Sequence, residues 1–173
     1  MLRTVLLLLL GASTAHAQDS GADPAVSLQY DFLVGDWDVT VTMPRAGRPA
    51  LVYGATWRIR WVADGRVLMQ EWSDPYGSGV ELRAFNATTR RWDGRNLYAP
   101  DPGTWYANEA ELQGGVMVVT TPRQAADGTT ILSREIYRPV ETDRFEVSTE
   151  VSLDAGASWR SGRYGLVARR RRR

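Results

Sequence analysis

Few side chains do most of the chemistry in proteins, and this sequence is short of two of them. Cysteine is absent, and the only histidine, His16, sits in a stretch expected to be cleaved away. Without a thiolate or an imidazole there is no Ser-His-Asp triad, no ordinary zinc site and no proximal haem histidine. Tyrosine, which can ligate ferric haem, leaves haem improbable rather than impossible. No glycine-rich phosphate loop and no dense Asp/Asn/Gly calcium loop is present, and the Asp154 to Ser158 turn has a single carboxylate. Asp36 and Asp38 flank Trp37, but in a strand both fall on the face opposite the indole. They read as polar exterior. No metal and no cofactor are expected.

Carboxylates, amides and aromatic rings remain. Glu71, Glu135, Glu150, Gln70, Asn96 and Asn108 interrupt apolar runs, where burial would perturb the acids. The alternation around them does not settle which point inward, and for each carboxylate a surface pair with a neighbouring Arg is the competing reading. No two acids have a spacing that demands a general acid and a general base, so no catalytic residue is assigned and enzymatic activity is left open, with binding favoured. The seven tryptophans and seven tyrosines are mostly core material. Trp57, Trp61, Trp92, Tyr98, Trp105 and Tyr106, with Glu71, form the candidate ligand-contacting set. Flat rings offer contact area, and their N–H and O–H groups can orient an apolar molecule or a sugar.

Such residues need a frame, and the patterning predicts strands throughout. From Tyr53 to Trp61 the residues Tyr53, Ala55, Trp57, Ile59 and Trp61 share one face, while Thr56, Arg58 and Arg60 share the other. Phe145, Val147, Thr149, Val151 and Leu153 alternate with Glu146, Ser148, Glu150 and Ser152 in the same way. Turn signals such as Asp64-Gly65, Gly114-Gly115 and Asp127-Gly128 recur at hairpin spacing. Together they predict ten strands at about 34–43, 52–63, 66–73, 79–86, 91–99, 103–112, 115–122, 129–139, 143–153 and 157–169. One short helical turn is expected near 24–32. Closing such a meander into a single antiparallel up-and-down barrel removes its edges, whereas a two-sheet sandwich leaves them.

Arg3, the apolar run Val5 to Leu10 and Ala15-His16-Ala17 read as a signal peptide over 1–17, with the mature chain starting near Gln18. A periplasmic or secreted protein is expected. The apolar run is too short to span a bilayer, and a lipoprotein anchor would need a cysteine. One domain is expected over 18–168, followed by an arginine tail over 169–173. All 21 cationic side chains are Arg, and the mature chain carries 20 of them against 20 acids. A broad nucleic-acid surface is therefore not expected. The tail is read as a frayed end, with weak contact to anionic surfaces as its other use.

The segment Phe32-Leu33-Val34-Gly35-Asp36-Trp37, through Gly35 and Trp37, resembles the Gly-x-Trp opening of lipocalins and related calycin barrels. With the hairpins Trp61 to Gln70 and Leu82 to Trp92, the chain resembles uncharacterised exported bacterial lipocalin-like proteins. That resemblance implies an all-β, lipocalin-like barrel in which Trp37 closes the floor beneath an Arg of the last strand, Arg169 first and Arg163 second. All four residues are assigned structural roles. Likeness to fatty-acid-binding and nitrobindin-like members implies a cavity for a small hydrophobic or amphipathic molecule. Three readings follow: a ligand-binding barrel, a metal-free isomerase, cyclase or lyase on the same barrel, and a filled barrel acting through its surface. Only the last predicts no cavity.

Overall fold

The structure, a computed structural model, describes Val26 and residues 28–172; the expected signal peptide 1–17, with His16, and Arg173 lie outside the described residues. Ten strands follow one another: β1 (Gly35–Arg45), β2 (Arg48–Val62), β3 (Val67–Asp74), β4 (Gly77–Asn86), β5 (Arg91–Tyr98), β6 (Trp105–Gln113), β7 (Val116–Gln124), β8 (Thr130–Glu141), β9 (Arg144–Ser152) and β10 (Arg160–Arg170). Each pairs antiparallel with its neighbour in sequence, and β10 pairs with β1, closing the barrel. A sandwich is thereby excluded, because no sheet edge is left to divide two layers.

Turn chemistry and strand alternation account for this. Between β2 and β3 the backbone passes through left-handed Ala63, Asp64 and Gly65, a reversal that Asp and Gly make at low steric cost. On β2 the inward Ala55, Trp57 and Ile59 are buried while Thr56 and Arg58 are exposed. On β9 Phe145 and Val147 are buried, but the apolar alternation stops at Ser152, and Leu153 is exposed beyond the strand end.

One barrel end is plugged. A 3₁₀ helix, Leu28–Leu33, lies across it with Tyr30 and Leu33 fully buried, each such side chain worth roughly 1.5–3 kcal/mol of burial. Trp37 donates its indole N–H to the Leu33 carbonyl at 2.7 Å and meets Phe145 edge-on at 4.7 Å. Trp92 meets Tyr30 edge-on at 4.9 Å and packs on Trp61 and Phe85.

The arginine over Trp37 is Arg170, with its guanidinium 4.3 Å from the ring centre. Neither Arg169 nor Arg163 takes this place. Ala168 and Leu166 are buried, so Arg170 shares their inward parity opposite Trp37, whereas Arg169 stands opposite Asp38 with its side chain in solvent, and Arg163 is exposed. Arg170 also donates to the Val34 carbonyl at 2.9 Å and to Asp143 at 3.0 Å. Gly35 leaves room for it, since a Cβ there would lie 2.2 Å from the guanidinium. The arginine run therefore does not leave the barrel at 169. The Arg171 backbone N–H bonds the Asp36 carbonyl at 2.8 Å, and its guanidinium pairs with Asp38.

Candidate functional site

Opposite the plug, the barrel holds a cavity of about 300 Å³. Six aromatic residues, Tyr53, Trp57, Trp72, Tyr98, Tyr137 and Tyr164, form most of its wall. Five polar residues join them: Gln70, Asp74, Glu81, Asn96 and Glu135.

Strand parity sets each of these. On β3 Leu68, Gln70 and Trp72 turn inward, which sends Glu71 to the outer face, where it pairs with Arg60 at 2.5 Å. Glu150 is likewise tied to Arg134. On β4 the inward residues are Gly79, Glu81, Arg83 and Phe85, and the apolar Leu82 is exposed. The interior of this strand is its polar face. Gly79 allows the Tyr98 ring to fold across β4, because a Cβ there would stand 2.8 Å from that ring.

Beneath the cavity lies a buried ion pair. Arg83, fully buried, donates Nε–H to Glu81 at 2.7 Å and Nη1–H to the Tyr30 hydroxyl at 3.0 Å, with its guanidinium near the Tyr30 and Tyr137 rings. Burial alone would weaken the guanidinium as a base; the adjacent Glu81 charge reverses this and holds it well above its usual value. Burial also pushes the Tyr30 hydroxyl up to about 12, against the opposing pull of Arg83. Asn108, inward on β6, donates to the same Glu81 oxygen at 2.8 Å.

Glu135 on β8 accepts the Tyr137 hydroxyl on one oxygen at 2.5 Å and the Tyr164 hydroxyl on the other. Burial first, and then the Glu135 charge, hold both phenols well above their ordinary range. At the rim Asp74 accepts from the Trp72 indole at 2.8 Å, the Tyr98 hydroxyl at 3.1 Å and the backbone N–H groups of Tyr76 and Gly77. Tyr98 is pushed up to about 12 by burial and then by Asp74.

Three buried polar atoms on the wall have no partner: both amide atoms of Gln70 and Oδ1 of Asn96. Gln70 is 1 % exposed. An unpaired buried polar group costs roughly 1–3 kcal/mol, so these atoms are poised for a molecule that bonds them.

Of the residues singled out by sequence, Trp57 and Tyr98 line this cavity. Trp61 and Trp92 belong to the plugged end, where their indoles donate to Asp31 at 3.2 Å and Gln29 at 3.1 Å. Trp105 is 51 % exposed on the outer face. Tyr106 has the inward parity of Asn108 but lies beyond the rim, bonded to Asp101. Glu71 is outside for the reason given. Tyr53, Trp72, Glu81, Arg83, Tyr137 and Tyr164 were not anticipated at a site. A signal for two of them exists: Glu81 and Arg83 are two apart, so a strand must send both to one face.

No family model and no curated protein matches this chain. Among solved structures it is similar to the S-type phycobiliprotein lyase CPES from Guillardia theta, with a TM-score of 0.51 and 15 % identity over 86 % of this chain and 93 % of that one. It is also similar to a DUF3598-family protein of unknown function from Nostoc punctiforme, with a TM-score of 0.47 and 19 % identity over 80 % of this chain and 48 % of the other. The likeness to the lyase is one of fold alone, and the fold of this chain is a closed antiparallel β-barrel.

Proposed function

We propose that this chain is a small-molecule binding protein whose ligand is amphipathic, with a flat or short apolar body between Trp57, Trp72 and Tyr98 and a polar group against Gln70 and Asn96. The observation that carries this is Gln70, almost wholly buried on the cavity wall with both ends of its amide unpartnered. A filled barrel acting through its surface would have no such space. The cavity lies at the lower edge of the roughly 300–1,000 Å³ typical of ligand pockets, which favours one ring system or a short chain over a full lipid. The isomerase or lyase reading draws on Glu135, which faces the cavity with a phenol on each oxygen. That carboxylate has both oxygens engaged as acceptors, an arrangement suited to holding a charge in place. Action in the periplasm or outside the cell is part of this proposal and rests on Val5 to Leu10 and Ala15-His16-Ala17.

The test is tryptophan fluorescence titration of the purified protein with a panel of small aromatic amphiphiles, repeated on Gln70→Leu. At least one wild-type ligand should bind, and the variant should weaken it about tenfold, the effect of leaving a ligand polar group unpaired. A panel with no binder, or binding indifferent to Gln70, overturns the proposal.

A further inference from the structure

Every cationic side chain of this protein is arginine, and the outer strand faces carry many of them. Among the described residues none lines the cavity, whose charged residues are Asp74, Glu81 and Glu135. Glu81 is neutralised by Arg83, which is fully buried and turned toward Tyr30 under the floor. Asp74 and Glu135 take part in no salt bridge among the described residues; their partners are tyrosine, tryptophan and backbone donors, all neutral. Neutral donors steady a carboxylate but leave its negative charge in place, and inside a poorly polarisable cup that charge acts over the whole space.

From this, together with the binding reading on which it rests, we infer that the ligand's polar group is a protonated primary or secondary amine, seated between Glu135 and the aromatic wall. Three independent features agree. The carboxylates set the sign of the potential. Trp57, Trp72 and Tyr53 stand in the cavity wall, and aromatic rings attract a cation through the negative side of their quadrupoles. The unpartnered Gln70 Oε1 and Asn96 Oδ1 are acceptors, which an ammonium bearing N–H groups satisfies and a quaternary ammonium does not. An anionic ligand would meet two uncompensated acids, Asp74 and Glu135, and no cation on the cavity wall, so the site excludes carboxylates and phosphates as well as selecting amines.

The experiment is isothermal calorimetry of the purified protein at pH 7 with molecules that share a phenylethyl body: 2-phenylethylamine, its N-trimethyl analogue, 2-phenylethanol and 3-phenylpropanoate. The primary amine should bind about tenfold or more tighter than the alcohol and the quaternary analogue, and the carboxylate should not bind. Glu135→Gln should cost the amine about tenfold and leave the alcohol unchanged. Binding of the alcohol or the carboxylate as tight as that of the amine overturns the amine inference while leaving a binding barrel in place. Failure of all four to bind overturns both. The wild-type comparison decides the matter even where Glu135→Gln fails to fold.

Discussion

At the scale of single residues, Arg83 combines full burial with a charge, and its worth depends on its partner. Taking two charges out of water is costly, and the 2.7 Å contact with Glu81, the bond to Tyr30, the Asn108 amide on Glu81 and the Tyr30 and Tyr137 rings offset it. Arg83→Met should therefore destabilise the barrel by about 3 kcal/mol by stranding Glu81, and Glu81→Leu combined with Arg83→Met should recover most of that loss. Urea unfolding of the two variants checks it; equal losses would mean that the cost is a packing cost. The sequence hid this pair because charged residues are assigned to solvent by default. It was no more informative about Arg169 against Arg170. The β10 register shifts between Ser161 and Gly165, and counting alternation through such a shift from sequence has no fixed parity.

Among the elements, β2 and the body of β9 were legible, since aromatic and β-branched residues on one side and Arg, Thr or Glu on the other fix both the strand and the face it buries. On β4 the alternation was equally regular, yet Leu82 faces out and Arg83 faces in. Period-two patterning marks two faces; which one is interior depends on polar partners on other elements, here Asn108 and Tyr30, that no local window contains. The β9–β10 turn shows local chemistry at its clearest. Asp154 accepts the Ser152 hydroxyl at 2.6 Å, the Ser158 hydroxyl at 2.5 Å and the Ser158 backbone N–H at 2.9 Å. The two serine hydroxyls and then the backbone bond hold its carboxyl down at about 2, below the usual carboxylate range. A depressed folded-state value contributes stability above the unfolded value and loses it as pH falls through the folded one. Asp154→Ala should therefore lower the melting temperature at pH 6 to 7 by an amount that shrinks between pH 4 and pH 2. A pH-independent difference would show that the turn geometry, not the charge, is what the substitution removes.

For the whole molecule, barrel closure was legible from ten alternating segments and hairpin turns, and the edges of the strands fell within a few residues of expectation. The cavity was not, because inward positions reveal polarity but not whether space is left between them. The C-terminal arginines sit where the barrel closes. Deleting residues 169–173 should lower stability by about 2 kcal/mol through loss of Arg170 from Trp37 and the Val34 carbonyl. Chemical denaturation measures it, and a change under about 0.5 kcal/mol would return these residues to the status of a solvated tail. The seam they complete also governs how the chain finds its fold. All other strand neighbours are adjacent in sequence, whereas Asp38 and Arg171 meet across 133 residues. Local hairpins can form as the polypeptide emerges, but the β1–β10 ladder must wait for β10 and for the entropy of a very long loop to be overcome. Until then β1 presents an unpaired edge, so the slowest step of folding and the period of greatest exposure to misassembly are set at one joint, between the first strand made and the last.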